Sequence, residues 1–329
     1  MHGFHVWAPT ITQSFTPPNN PSILAHHGAF NEILHKEFMK QWYIGPFTPD
    51  ILKAFIRPFQ SSPLNIIPKP GKLGKFHLIQ NLSYSNSPGV NKALSINSQV
   101  DSALFPCKWG TFCTACTLIL TLLRGSQGAT RNVAKAYRLI PLHLSRWPAL
   151  VAWVTNEPTL FAVDTSLCFG YGPSAGTYGT VQDAGLDIFR AAGIGPIIAW
   201  VDDHLFFCLP RDTIADYNKM CKAKARVIAE QGGRLKDNGR WWFKGEALAN
   251  DIHKEFAEDC THMVRDLTSK HPNNIAASHA YDFSRINQIS DCLGILWELS
   301  KDTLFSSMPI FIGFIWNLKN NTVGLTAAK

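Results

Sequence analysis

Residues 197–210, IIAWVDDHLFFCLP, set two acids, Asp202 and Asp203, side by side inside a β-prone apolar run. Adjacent carboxylates repel each other and lose hydration when buried. In a flat strand they would point to opposite faces of the sheet. A hairpin with the pair at its bend resolves both difficulties, because a turn can swing the two side chains toward one cation. Hard oxygen ligands of this kind suit Mg²⁺, which keeps waters and takes one or two carboxylates plus substrate phosphates. A pair of such ions serves in-line phosphoryl displacement. Taken alone, the Asp-Asp dipeptide is equally a solvated turn, so its neighbours decide what it means.

Working outward, GATRNVAKAYRLIPLH (128–143) begins as a strand and turns toward a helix near Lys135–Tyr137. ALVAWVTNEPTLFAVDT (149–165) reads as a hairpin, and 168–193 leaves a Gly-rich turn for a helix over 174–191. SPLNIIPKPGKLGKFHLIQNLS (62–83) reads as two strands joined by a projecting loop that carries Lys69, Lys72 and Lys75. Helices are predicted over 29–42, from Pro49 with Thr48 as N-cap, and, fully buried, over 109–124. Downstream, Asp212 is predicted to cap a helix reaching Gln231, and Asn238-Gly239 signals a hairpin. Residues 246–280 are polar and weakly patterned, which marks an insertion. A helix over 282–293, a short strand near Trp297 and a strand PIFIGFIWNL (309–318) end the chain, while residues 1–27 look loosely ordered. This order predicts an α+β class with an antiparallel sheet backed by helices on one face.

The 329 residues are 46% hydrophobic, enough for a sizeable core. No basic segment followed by an apolar run stands at the start, and TFCTACTLILTLL (111–123) is too short to span a bilayer. The expectation is a soluble protein of the cytoplasm or nucleus, with no membrane partner. Eight scattered cysteines fit reduced, buried thiols, and Cys113 and Cys116 read as helix packing rather than a zinc site. Net charge is +7, but Ile51–Asn156 holds twelve Lys/Arg against the single acid Asp101, which leaves the remainder of the chain acidic. A long acid-poor basic region is the electrostatic signature of a polyanion partner, usually nucleic acid.

In that order these segments resemble the motifs of reverse transcriptases. WVDD resembles the aromatic-x-Asp-Asp hairpin, and NVAKAYRLIPLH the strand that supplies the first catalytic Asp. LCFGYGPSAGTY resembles the motif opening the helix beneath template and nucleotide, and 62–83 the fingers hairpin. LGILWELSKDT and FIGFIWN resemble the next two palm motifs, the second carrying the primer grip. The resemblance covers roughly 55–329 and is nearest to retrotransposon polymerases of the tyrosine-recombinase (DIRS-like) branch. It implies a right-hand polymerase with fingers and palm, the thumb being absent. The implied divisions are a 1–54 extension, 55–127 fingers, 128–210 palm with the catalytic hairpin, a 211–281 insertion, and 282–329 as end of palm and primer grip.

The resemblance also implies roles. Asp202 and Asp203 would hold two Mg²⁺ ions, and Lys301 would approach the leaving pyrophosphate as a general acid. Lys69, Lys72, Lys75, His77, Lys135, Ala136, Tyr137, Phe169 and Gly170 would meet the incoming dNTP, Tyr137 as the gate beneath the sugar. Ile312 and Gly313 would lie in the primer grip. Partners would be an RNA or DNA template, a primer and dNTP; oligomeric state is not implied. Read one at a time, Tyr137 is an ordinary core tyrosine, Gly170 and Gly172 shape a turn, and Lys301 is a solvated helix-end charge. Joint occurrence in order is what carries the roles.

The pattern breaks at Asn132, which occupies the place of the first catalytic Asp. An amide oxygen can coordinate but brings no charge. His77 stands for the Arg that grips the triphosphate, exchanging a permanent bidentate cation for a ring mostly neutral at pH 7. Asn81 stands for an acid, and Trp200 for Tyr or Phe. The expectation is an RNA-directed DNA polymerase domain with a weakened metal site and impaired or absent activity. The alternatives are a non-catalytic nucleic-acid-binding protein derived from a retroelement, and an interaction protein with no such affinity.

Overall fold

The structure, a computed structural model, describes residues 3–56, 58–85, 94–107, 109–235, 241–247, 253–258, 262–268 and 278–326. Arg57, Lys92, Lys108, the Asn238-Gly239 turn and much of 246–280 lie outside them. The chain opens with α1 (Ser22–Ala25), α2 (His27–Met39), β1 (Tyr43–Phe47), α3 (Pro49–Phe55) and the hairpin β2 (Leu64–Pro68) and β3 (Phe76–Gln80). There follow α4 (Phe112–Thr121), β4 (Gln127–Asn132), β5 (Val151–Thr155), β6 (Leu160–Asp164) and α5 (Ser174–Ala191). The Asp-bearing hairpin is β7 (Ile197–Trp200) and β8 (Asp203–Cys208). Next come α6 (Ile214–Glu230), β9 (Arg234–Leu235), β10 (Trp241–Ala247), β11 (His253–Glu258) and α7 (Phe283–Leu293). Strands β12 (Ile310–Phe311), β13 (Phe314–Asn317) and β14 (Thr322–Leu325) end it. All named strands pair antiparallel, so the mixed α+β class with antiparallel sheets is found. Among the described residues no helix is long and apolar enough to cross a membrane.

Two units divide the chain: Met1–Cys107 with Lys135–Tyr178, and Lys108–Ala134 with Gly179–Lys329. In the first, β1, β6 and β5 form one sheet whose alternate residues serve two cores. Ala152 and Ala162 face α1 and α2, packing with Ile23, Phe30, Leu34 and the hairpin residues Leu64 and Ile66. Val151, Phe161 and Val163 face α3, packing with Leu52, Ile56 and Phe59. Thr48 caps α3 as expected, its hydroxyl accepting from Ile51 N at 3.4 Å.

In the second unit, β4, β8 and β7 form the sheet that carries the acids. Phe206 and Cys208, with Ile197 and Ala199, face a core built by α5, α6 and α7. Leu205, Phe207 and Ile198 face α4 together with Phe311 and Trp316. Helices therefore lie on both faces, not one. The reason is legible in β8 itself, where consecutive apolar residues leave no polar face. Gly110 makes the approach to α4 possible, because a Cβ there would lie 2.1 Å from Ile198 Cγ1.

Four further expectations change. The first residues are not loose: Phe4 bridges to Leu142, Phe15 to Gln60, and Val6 is buried, so Pro-rich extended chain is held by strand-like bridges. Asp212 does not cap α6; it lies in a 3₁₀ turn, Arg211–Thr213, and the capping position falls to Thr213 without a side-chain bond. Helix α4 buries only one stripe, Ala115, Leu118 and Ile119, leaving Leu120 and Cys113 exposed, and Cys107 and Cys292 are exposed as well. The segment 309–318 is not one strand but the hairpin β12–β13, reversing at Ile312 (φ +46°) and Gly313 (φ +81°). Two consecutive positive φ values are the mark of a type I′ hairpin turn.

Candidate active site

Strand β4 carries Asn132 to the end of the sheet, directly opposite Asp203 on β8. Directly opposed residues in an antiparallel pair project their side chains to one face. The Asn132 amide donates through Nδ2 to Asp203 Oδ1, and its Oδ1 accepts from Lys301 Nζ at 3.0 Å. Lys301 reaches it because residues 296–306 run antiparallel beside β4. Ala134 N bonds Leu296 O, Glu298 N bonds Asn132 O, Thr303 N bonds Thr130 O, and Ser306 and Gly128 exchange both backbone bonds. Between these rungs the chain bulges as a 3₁₀ turn, Leu299–Lys301, which carries the lysine back over Asn132.

The bend of the acid hairpin is Val201–Asp202, and Asp203 has left it for the strand, paired with Trp200. Val201 has φ +53°, a rare conformation for a β-branched residue. It is held by Gln182, whose amide donates to Val201 O, while Asp202 O accepts from Val133 N at 2.8 Å. Burial raises the Asp203 carboxyl above its ordinary value and the neighbouring Asp202 charge adds to this; Asn132 and Lys301 pull the other way. His204, next along, is buried on the opposite face.

A cavity of about 510 Å³ opens over this face, lined among others by Asn132, Asp203, Lys301, Trp200, Ile312 and Gly313. Six residues singled out from sequence thus share one cavity, whereas Asp202 is not part of its lining. Sequence reasoning missed Arg131. Its side chain is 2% exposed, pairs with Asp302 at 2.7 Å and lies over the Trp297 ring. An arginine inside an otherwise uncharged strand was the available signal, since buried charge requires a partner.

The residues present do not fit a two-metal centre. Asn132 turns a hydrogen-bond donor toward Asp203, an ammonium sits on its oxygen, and no group of three or more His, Cys, Asp or Glu could hold an ion among the described residues.

The remaining candidates belong to the first unit. Lys69, Lys72 and Lys75 line a tight loop closed by Lys69 N to Lys75 O, Lys72 N to Lys69 O and Lys75 N to Lys72 O bonds. Partial burial, with the charges of Lys135, Lys72 and Lys75, holds the Lys69 ammonium below its usual value. Burial together with Lys69 and Lys135 likewise pushes His77 down. Lys135, at φ +59°, precedes a 3₁₀ turn over Ala136–Leu139. Tyr137 packs edge-on against Phe169 and Tyr178, with ring centroids 4.8 and 5.6 Å away. Phe169 is largely exposed. Gly170 takes φ +86°, and a Cβ there would meet only Gln80 O at 3.6 Å, so conformation rather than crowding demands glycine. Asn97, also missed, clamps this loop by donating to Gly170 O at 2.6 Å and accepting from Gly172 N at 2.9 Å.

The fold is similar to that of the foamy viral protease-reverse transcriptase. A dRH form in complex with double-stranded DNA matches with a TM-score of 0.50 at 14% identity, over 99% of this chain and 38% of that one. A second foamy viral protease-reverse transcriptase structure in complex with double-stranded DNA matches with a TM-score of 0.50 at 15% identity, over 99% and 46%. The chain thus spans less than half the length of the structures it resembles. At this identity the likeness is one of fold, and the fold is reverse-transcriptase-like. No family model and no curated protein matches the chain.

Proposed function

We propose that this chain is a reverse-transcriptase-type nucleotidyltransferase domain of a retrotransposon, of the DIRS-like branch, whose catalytic centre has decayed. In this reading β2–β3 belongs to the fingers, and the β4–β8–β7 sheet with Asp202 and Asp203 to the palm. Lys301 flanks the phosphoryl-transfer site, and Ile312 and Gly313 form the primer grip. Lys69, Lys72, Lys75, His77, Lys135, Ala136, Tyr137, Phe169 and Gly170 face the nucleotide. The protein retains affinity for a primed RNA or DNA template and makes little or no DNA.

The observation that carries this reading is Asn132, set opposite Asp203 on the hairpin and bonded to it through an amide N–H. A donor in that place repels the cation that the ancestral chemistry needs. Removing even one ordinary transition-state group costs about 10²- to 10³-fold in rate. Backbone strain supports the siting: Lys135, Val201 and Ile312, each beside a candidate residue, are three of the non-glycine residues with positive φ. Such conformations concentrate at functional positions.

The test is primer extension on an RNA template with Mg²⁺ or Mn²⁺, alongside fluorescence anisotropy on an RNA/DNA hybrid. Binding without extension is expected. Robust extension by the unmodified chain would falsify the decay, and no binding at low salt would remove the nucleic-acid reading. The second reading, a purely nucleic-acid-binding protein, is favoured by the Lys69, Lys135 and His77 cluster; it expects the same hybrid affinity with no dependence on Mg²⁺ or dNTP.

A further inference from the structure

The Asn132 amide has only one workable orientation. Its oxygen faces an ammonium, which can only donate, and its NH₂ faces a carboxylate, which accepts. Flipping it would set two donors together and two acceptors together. Lys301, Asn132 and Asp203 therefore form a polarised relay with positive charge at one end and negative charge at the other. Asn132 is 6% exposed, so water does little to screen the middle of this relay. The lysine is carried there by the bulge between the Glu298–Asn132 and Thr303–Thr130 backbone bonds.

From this arrangement we infer that Lys301, acting through the Asn132 amide, takes the cationic place at Asp203 and closes the pocket to divalent metal. The inference rests on the reading of Asp202–Asp203 as a former metal hairpin and goes beyond it. Loss of the first carboxylate is then only half of the defect. Restoring it alone puts an acid where the Lys301 ammonium already lies 3.0 Å from the side-chain oxygen. The two would form a direct ion pair, leaving the new charge neutralised and the ammonium still in the path of a dication. Opening the site requires both changes.

The experiment titrates Mn²⁺ into the whole chain and follows the free-ion signal by electron paramagnetic resonance. Weak binding is expected for the unmodified protein, for Asn132→Asp and for Lys301→Gln. The combined Asn132→Asp, Lys301→Gln variant should bind at least about tenfold more tightly than any of these, as removal of a nearby like charge requires. Its melting temperature should rise with Mn²⁺ while those of the single variants stay put. Should the combined variant not fold, Lys301→Met with Asn132→Asp takes its place. Tight binding by Asn132→Asp alone, or by the unmodified chain, overturns the inference, as does a folded combined variant that ignores Mn²⁺. None of these outcomes involves the hybrid-binding measurement, so the polymerase ancestry stands or falls separately.

Discussion

His204 shows how one residue can link the acid hairpin to the stability of the whole second unit. Its ring packs against Phe206 and Trp297, which also touch each other, and its Nδ1 is 3.2 Å from Asp202 O. Burial, reinforced by the Arg131 charge, pushes its pKa from 6.5 down to about 4. The folded state thus binds fewer protons than the unfolded one within that window. Its contribution is fully present above pH 6.5 and is lost as pH falls toward 4, about 3 kcal/mol in all. Urea unfolding at a series of pH values should show this loss in the parent and a flatter profile in His204→Phe. A parent-like acid slope in the variant would assign the effect elsewhere. Sequence showed this histidine only as a neighbour of the Asp pair. Its neutrality is a consequence of burial beside Phe206 of its own strand and Trp297 from a distant segment.

At the scale of elements, local signals were legible where a residue's own chemistry closes the structure. Thr48-Pro49 starts α3, and the basic loop between two apolar runs is the β2–β3 hairpin. The Ile312-Gly313 turn was not legible, because a branched residue is a poor choice for positive φ and the apolar alternation runs on through it. Packing of Phe311 and Trp316 under the sheet over-determines that turn. The 3₁₀ turn bearing Tyr137 is anchored in a similar way. Arg138 donates to both oxygens of Asp164 on β6 at 2.6 Å and to Glu37 on α2 at 3.0 Å, and all three are buried or nearly so. Asp164→Ala leaves the guanidinium without its bidentate partner and should cost about 3–5 kcal/mol. Chemical denaturation measures it, and a loss under about 1 kcal/mol would show that the anchor is dispensable. Combining it with Arg138→Met should recover much of the loss.

For the molecule as a whole, charge distribution makes its own prediction. If Lys69, Lys72 and Lys75 each meet a phosphate, replacing all three by Ala should weaken hybrid binding. It should also reduce the slope of log K against log salt by up to about 3. Anisotropy titrations across a salt series test this, and an unchanged slope would take the hairpin out of the interface. The basic window could be read from the sequence, as could the hairpin acids, most of the helices and hairpins, and the amide at position 132, because each is local in the chain. Which cation answers Asp203 could not. Asn132 and Lys301 are 169 residues apart, and neither helix period nor strand alternation relates them. Only the pairing of 296–306 along β4 brings the ammonium onto the amide, and only the β4–β8 register turns that amide toward Asp203. The sequence determined by itself that an amide stands at position 132 and that two acids share the hairpin. The tertiary structure decided which groups answer Asp203, because electrostatic partnership depends on distance in space and not along the chain.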